Sequence, residues 1–267
     1  MSKTVLVTGA SSGIGKSIAL YLCSKGFKVY GTCRNPKKYD IIDFILLKCD
    51  ITLINEIKNV VNFVLKKEGR IDILINNAGI GITGPVEETS ESDIKSAFET
   101  NFFGPINIIK ACIPSMRRHK TGLIINITSV MGYFAMPFRG VYSATKSSME
   151  IIGEAFSMEL NKFNIKVVNI APGDFKTDII SRRINSPSIQ KSSYEKDYVK
   201  CINSANSQVK NALSPDIISK LVYKIILSKN PKIHYKVGAF IQKFSIVLKR
   251  LLPDRLFEKI ILYYNKN

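Results

Sequence analysis

The sequence predicts an α/β fold in which a doubly wound parallel β-sheet carries helices on both faces, and three observations predict it. Short apolar runs such as Thr4-Val5-Leu6-Val7, Ile71-Asp72-Ile73-Leu74-Ile75 and Leu123-Ile124-Ile125-Asn126-Ile127 recur along the chain. Between them lie longer stretches with apolar residues at helical spacing, the alternation that implies right-handed βαβ crossovers. Gly9, Arg34, Asp50 and Asn76 to Gly79 all fall where such runs end. The carboxyl ends of its strands are where an open parallel sheet takes its ligand.

The first unit reads strand, glycine turn, helix. Val5-Leu6-Val7 leads into Thr8-Gly9-Ala10-Ser11-Ser12-Gly13-Ile14-Gly15, then Ile18, Ala19, Leu20 and Leu22 at helical spacing, with Gly26 as a C-cap. Glycine is required where the backbone turns tightly and approaches a pyrophosphate, and the helix start then offers free N–H groups to the phosphates. The second strand, Phe27 to Cys33, ends at Arg34, about twenty residues beyond that turn. A carboxylate there would hydrogen-bond the ribose 2′-hydroxyl of NAD, whereas an arginine accommodates the 2′-phosphate of NADP. NADP (NADPH) is therefore the expected cofactor in preference to NAD, with Lys16 and Lys37 available to add charge.

A third strand, Phe44 to Cys49, finishes at Asp50, and the following helix carries Leu53, Ile54, Ile57, Val60, Val61 and Val64 on one face. The fourth apolar run delivers Asn76-Asn77-Ala78-Gly79. A helix is expected around Ser90 to Glu99 and a second from Asn101 through about Met116, with Pro114 near its end. The fifth strand presents Thr128 and Ser129, and a sixth, Ile165 to Ile170, ends at Pro172-Gly173, five residues before Thr177. Read one at a time, Asp50, Asn101 and Ser129 also fit as caps of neighbouring elements.

Tyr142-Ser143-Ala144-Thr145-Lys146 opens an apolar run through Met149, Ile151, Ile152, Ala155, Phe156 and Leu160. On a helix Tyr142 and Lys146 share one face. A phenol is a poor base at neutral pH, but a cation held beside it favours the phenolate and brings it toward working range.

Composition sets the outer bounds. The 267 residues, 45% hydrophobic and 22% charged, suit one domain spanning 1–267 with a substantial core. A strand at Thr4 leaves no room for a signal peptide, and no apolar stretch is long and uncharged enough to cross a bilayer. Five cysteines, an odd number without C-x-x-C spacing, fit reduced thiols in the cytoplasm, and no metal site is expected. The net charge of +18 suits a polyanion, yet no nucleic-acid module with aromatics among its basic residues is present, so nucleic-acid binding is not expected. Phosphates on a small ligand remain compatible with it.

With these pieces assembled, the chain resembles the short-chain dehydrogenases/reductases over nearly its whole length. The matching elements are TGASSGIG (8 to 15), the Asp50 strand end, NNAG (76 to 79), Asn101, Ser129, YSATK (142 to 146) and PGDFKT (172 to 177). The resemblance implies a Rossmann-type sheet of about seven strands and an oxidoreductase moving hydride between NADP(H) and a carbonyl or secondary alcohol. It implies a catalytic tetrad: Tyr142 as acid or base on the substrate oxygen, Ser129 positioning that oxygen, Lys146 lowering the Tyr142 pKa and binding the nicotinamide ribose, and Asn101 holding a relay water. Cofactor contacts carried over are Gly9, Ser11, Ser12, Gly13, Ile14, Gly15, Arg34, Asp50, Ile51, Asn77, Ala78, Gly79, Tyr142, Lys146, Pro172, Gly173 and Thr177. A homodimer or homotetramer is the family habit. An NAD-linked 3-oxoacyl or lipid reductase and a non-catalytic dinucleotide sensor are the alternatives; an intact Ser129, Tyr142 and Lys146 argues against the sensor.

Substrate identity is least legible. Residues 179–213, rich in Ser, Lys, Asn and Tyr, correspond to the variable segment that covers substrate in the family, and a lid is expected there. Met131, Phe134, Met136, Phe138 and Phe175 suggest a hydrophobic, lipid- or steroid-like ketone or alcohol, and equally suit core packing. The extension at 239–264 intersperses Phe240, Ile241, Phe244, Val247, Leu248, Leu251, Leu252, Leu256, Phe257, Ile260 and Ile261 with Lys243, Lys249, Arg250, Arg255 and Lys259, and Pro253 splits it into two helices. Such a pattern can cap the pocket, pack on the domain or a second subunit, or lie peripherally on a membrane; core-facing stripes are its commoner use.

Overall fold

The computed structural model of the chain describes residues 2–40, 43–177, 183–185, 192–210 and 212–266. Strands and helices alternate from the start: β1 (Thr4–Val7), α1 (Gly13–Ser24), β2 (Lys28–Cys33), β3 (Ile45–Lys48), α2 (Ile54–Glu68) and β4 (Ile73–Asn76). A two-residue strand β5 (Ile82–Thr83) precedes α3 (Glu91–Phe98), a π turn (Glu99–Phe103) and α4 (Gly104–Arg118). Next come β6 (Gly122–Ile127), α5 (Gly140–Leu160) and β7 (Ile165–Pro172). The last part holds β8 (Ile184–Asn185), α6 (Glu195–Lys210), α7 (Asp216–Leu227), β9 (His234–Val237), α8 (Phe240–Leu251) and α9 (Asp254–Lys266).

Seven strands form one parallel sheet in the order β3-β2-β1-β4-β6-β7-β9, the doubly wound Rossmann arrangement in which strand order reverses at β1. Strand side chains alternate between faces, and β1 shows what that achieves. Val5 and Val7 join one apolar layer with Ile18 and Leu22 of α1 and Ile218 and Val222 of α7. Leu6 joins the opposite layer with Val61 and Val64 of α2 and Ile108 and Cys112 of α4. Each such fully buried aliphatic side chain contributes roughly 1.5–3 kcal/mol, so the two layers fix where every strand ends.

Three differences from the expected elements have local causes. The second strand starts at Lys28 rather than Phe27, because the Phe27 N–H closes α1 by donating to Leu22 O at 3.1 Å past a left-handed Gly26 (φ +81°). Asn101 does not begin a helix; it lies inside the π turn joining α3 to α4. Pro114 falls within α4, where it and Lys110, whose carbonyl its ring leaves unpaired, face solvent.

Of the expected lid, 179–182, 186–191 and 211 lie outside the described residues. Within 179–213 the described part includes α6, which buries Tyr198, Cys201, Ile202 and Ala205 on one face. Pro253 separates α8 from α9. Among the described residues no helix is long and apolar enough to cross a membrane.

Candidate active site

A cleft of about 920 Å³ runs along the carboxyl ends of β1, β2, β4, β6 and β7. Its floor at one end is the turn between β1 and α1. Gly9 (φ +66°) and Gly13 (φ +54°) take the left-handed conformation there, and a Cβ on Gly9 would stand 2.9 Å from Ala78 Cα. Thr8 Oγ1 accepts the N–H groups of Asn77 (2.9 Å) and Ala78 (3.0 Å), while Asn77 Nδ2 donates to the carbonyls of Thr8 (2.9 Å) and Gly9 (3.1 Å). The glycine turn and the 76–79 segment are thereby one rigid piece.

Ser12 N-caps α1 without a side-chain hydrogen bond, and no acidic residue occupies the first turn. The first N–H groups of α1 thus stay uncapped by side chains where Ser11, Ser12, Gly13 and Ile14 line the cleft, an arrangement that fits the phosphates of a dinucleotide. Arg34 and Lys38 stand at the rim with Asp50 and Ile51. Asp50 is engaged locally, accepting from Thr52 N (3.0 Å) and Thr52 Oγ1 (2.8 Å). Lys16 and Lys37, expected to add charge, do not line this cleft: both point outward in exposed positions. Gly15 also lies behind it; a Cβ there would meet Asn77 Nδ2 at 2.3 Å and Gly9 O at 2.4 Å, so close packing excludes a side chain. Ala78, Gly79, Pro172, Gly173 and Thr177 complete the lining of this half.

In the middle of the cleft α5 presents Tyr142 and Lys146 toward Ser129 at the end of β6. The Ser129 hydroxyl accepts from Met131 N at 3.2 Å and acts on the Tyr142 phenol in favour of the phenolate. Lys146 is 6% exposed, donates to Ile127 O at 3.1 Å, and places Nζ 5.9 Å from the Tyr142 ring centroid. Burial pulls the Lys146 ammonium down to about 8, with Glu150 opposing the shift. Burial pushes the Tyr142 phenol up; the Ser129 hydrogen bond and the Arg139 cation act the other way. Asn101 does not touch the cleft directly. The π turn aims it inward, where Oδ1 accepts from Ile80 N (2.8 Å) and Nδ2 donates to Ile80 O (2.9 Å) and Thr145 Oγ1 (3.1 Å).

The other half is walled by Met131, Phe134, Met136 and Phe175 from the core domain, and by Ile241, Leu248, Ile260 and Ile261 from α8 and α9. Phe138 is not among the lining residues; its ring packs edge-on against Tyr194 and Tyr198. Sequence reasoning missed four polar members of this chamber: Arg139, Asp174, Arg183 and Gln242. Arg139 could have been found, since it lies three residues before Tyr142 and faces the same way on a helix. Gln242 could not, because only the fold brings the C-terminal helix to this cleft.

Comparison with known proteins accords with this geometry. The short chain dehydrogenase family profile matches residues 3–187. A protein named 3-ketodihydrosphingosine reductase from Bacteroides thetaiotaomicron is 36% identical over 255 residues, covering 95% of this chain and 94% of its own. A short-chain dehydrogenase structure from Streptomyces avermitilis superposes with a TM-score of 0.83 at 27% identity, over 98% of this chain and 97% of that one. ElxO, solved with NADP bound, gives a TM-score of 0.72 at 26% identity, over 89% and 96%. The profile match, the near full-length relative and the shared geometry agree: this chain belongs to the short-chain dehydrogenase family of oxidoreductases.

Proposed function

We propose that this protein is an NADPH-dependent carbonyl reductase acting on a lipid-like ketone, running as an alcohol dehydrogenase in reverse. The observation that carries the reading is the position of Tyr142, Ser129 and Lys146 between a glycine-lined cradle and an apolar chamber built partly by α8 and α9. Arg34 and Lys38 on the rim favour a 2′-phosphate. The relative named for 3-ketodihydrosphingosine and the NADP-bound neighbour support the substrate class and the cofactor.

When bound, NADPH supplies the hydride. Tyr142 donates a proton to the substrate oxygen as negative charge builds there, and Ser129 donates a hydrogen bond to the same atom. Lys146 stabilises the phenolate left behind and holds the nicotinamide ribose; Asn101, through Ile80 and Thr145, fixes the turn that would hold a relay water. Asp50, Ile51, Asn77, Ala78, Gly79, Pro172, Gly173 and Thr177 would hold the cofactor, and Gly15 allows α1 to pack closely behind the cleft. Arg183, Ile184, Ala205 and Val209 line the chamber from the described part of the variable segment.

The substrate enters from a membrane surface. Phe240, Phe244, Val247 and Leu251 form an exposed stripe on α8, Leu256, Ile260 and Tyr263 another on α9, and Lys243, Arg250, Arg255 and Lys259 are exposed around them. Exposed Ile151 and Met158 on α5 support a homodimer or homotetramer.

Cofactor fluorescence during titration with NADPH and NADH, for wild type and Arg34→Asp, tests the cofactor. Tight NADPH and weak NADH binding, with the preference lost in the variant, is expected; equal affinities in wild type would overturn it. NADPH oxidation with 3-ketodihydrosphingosine, compared with a short-chain ketone, tests the substrate class, and faster turnover of the short ketone would sink it.

A further inference from the structure

Glu150 is a carboxylate buried to 3% exposure one helical turn after Lys146, on the same face of α5. An ionised carboxylate at such depth is costly unless it is fully bonded. Here it is. Oε1 accepts from the Thr128 hydroxyl, and Oε2 accepts from the Tyr133 hydroxyl (2.9 Å), His234 Nδ1 (3.0 Å) and Asn169 Nδ2 (3.2 Å).

These donors come from β7, β9 and the stretch between β6 and α5. Thr128 is the neighbour of Ser129, Asn169 is on β7, His234 is on β9, and Tyr133 follows the turn that starts at Ser129. A ladder of amides extends the network under the cleft: Asn76 donates to Asn126 (3.0 Å), which donates to Asn169 (2.9 Å), in register across β4, β6 and β7. Toward solvent, His234 Nε2 lies 3.0 Å from Glu154 Oε1. His234 Nδ1 also lies 3.1 Å from the Tyr133 hydroxyl, so the ring joins Glu150, Tyr133 and Glu154. The remaining charges near this cluster are Lys236, over the Tyr133 ring at 4.8 Å, and Arg250 of α8, which acts on Tyr133 and Lys236.

We propose that Glu150 is a positioning residue for the reaction: its buried carboxylate, one helical turn from Lys146 and bonded to Thr128 beside the Ile127 carbonyl that Lys146 holds, keeps the Lys146 ammonium charged, and His234 carries that network to the protein surface. Charge is the essential property. The hydrogen bonds alone would be served nearly as well by an amide, whereas Lys146 without a counter-charge would be an uncompensated buried cation. The direction of the Glu150 effect on Lys146 agrees with this. The inference rests on the role given to Lys146 above, so its test reads Lys146 itself and needs neither substrate nor cofactor.

The experiment is NMR titration of isotope-labelled lysine side chains in the full chain, with Lys146→Arg to assign the signal. In Glu150→Gln the Lys146 midpoint is expected to fall by about one pH unit, which cuts the ammonium fraction above the midpoint about tenfold. Glu150→Asp, which keeps the charge, should stay within a few tenths of wild type. Glu150→Met, which fills the same space without charge, carries the test if Glu150→Gln fails to fold, and the same fall is expected. A folded Glu150→Gln or Glu150→Met with an unmoved midpoint, or Gln and Asp variants that behave alike, would each overturn the proposal. Loss of turnover in wild type with these shifts intact would instead count against the reductase reading.

Discussion

The side-chain amide of Gln242 bonds Asp174 twice: Nε2 donates to Oδ2 at 2.5 Å, and Oε1 accepts the Asp174 N–H at 3.2 Å. A Cβ on Gly173 would fall 1.9 Å from Gln242 Oε1, and one on Gly238 2.8 Å from it, so the amide sits in a notch that two glycines leave open. This pair fastens α8 to the loop that follows β7, and so ties the chamber wall to the nucleotide end of the sheet.

Replacing Gln242 with Ala should therefore cost about 1–3 kcal/mol, because it strips a part-buried carboxylate of its donor. Urea denaturation reads the loss. KM for the ketone should rise severalfold while NADPH affinity stays near wild type, since the variant loosens the chamber and leaves the glycine turn alone.

Tyr142→Phe removes the proton donor and keeps the ring. NADPH oxidation with 3-ketodihydrosphingosine should fall by about 10²–10⁴ in kcat, with NADPH binding retained by fluorescence titration.

Lys146 also makes a prediction about stability. Its pKa falls from 10.5 in the unfolded chain to about 8 when folded. Between those values the unfolded chain binds more protons, so stability rises with pH across that window, and below about pH 8 the full cost of burying the charge is present. Lys146→Met should therefore be inactive yet at least as stable as wild type at pH 7, with the difference shifting toward wild type between pH 8 and 10. Thermal melts of both proteins across that range check the sign.

Gly9→Ala should lower stability by about 1–3 kcal/mol through backbone strain at φ +66°. It should weaken NADPH binding as well, because the new methyl group stands against Ala78. Denaturant midpoints and a fluorescence titration measure the two effects separately.

The nucleotide half of the cleft was legible because local chemistry fixes it. Gly9 and Gly13 are demanded by backbone conformation, and the apolar period of β1, α1 and β4 places them at strand ends. The substrate half was legible only in part. Pro253 marked the break between α8 and α9, yet no local signal shows that Gln242 reaches Asp174, a contact between residues 68 positions apart. Asn101 was found by resemblance and misread by local rules: a residue of its type before an apolar helix suggests a cap, and the π turn that actually holds it leaves no mark in the hydrophobic pattern. Glu150 was visible at four residues from Lys146, but its donors come from β7, β9 and the connection from β6 to α5, which only the folded sheet assembles.

That π turn has a consequence for how this chain can change. Glu99 to Phe103 hold one residue more than an α-helical turn needs. Deleting a single residue there would let α3 and α4 run on as one regular helix with better backbone geometry, and would rotate everything on its amino-terminal side by about 100°. Asn101 or its replacement would then swing away from Ile80 and Thr145. The gene can lengthen or shorten most surface loops one codon at a time; at this point a deletion that leaves the helix more regular removes an inward-facing side chain from beside the site.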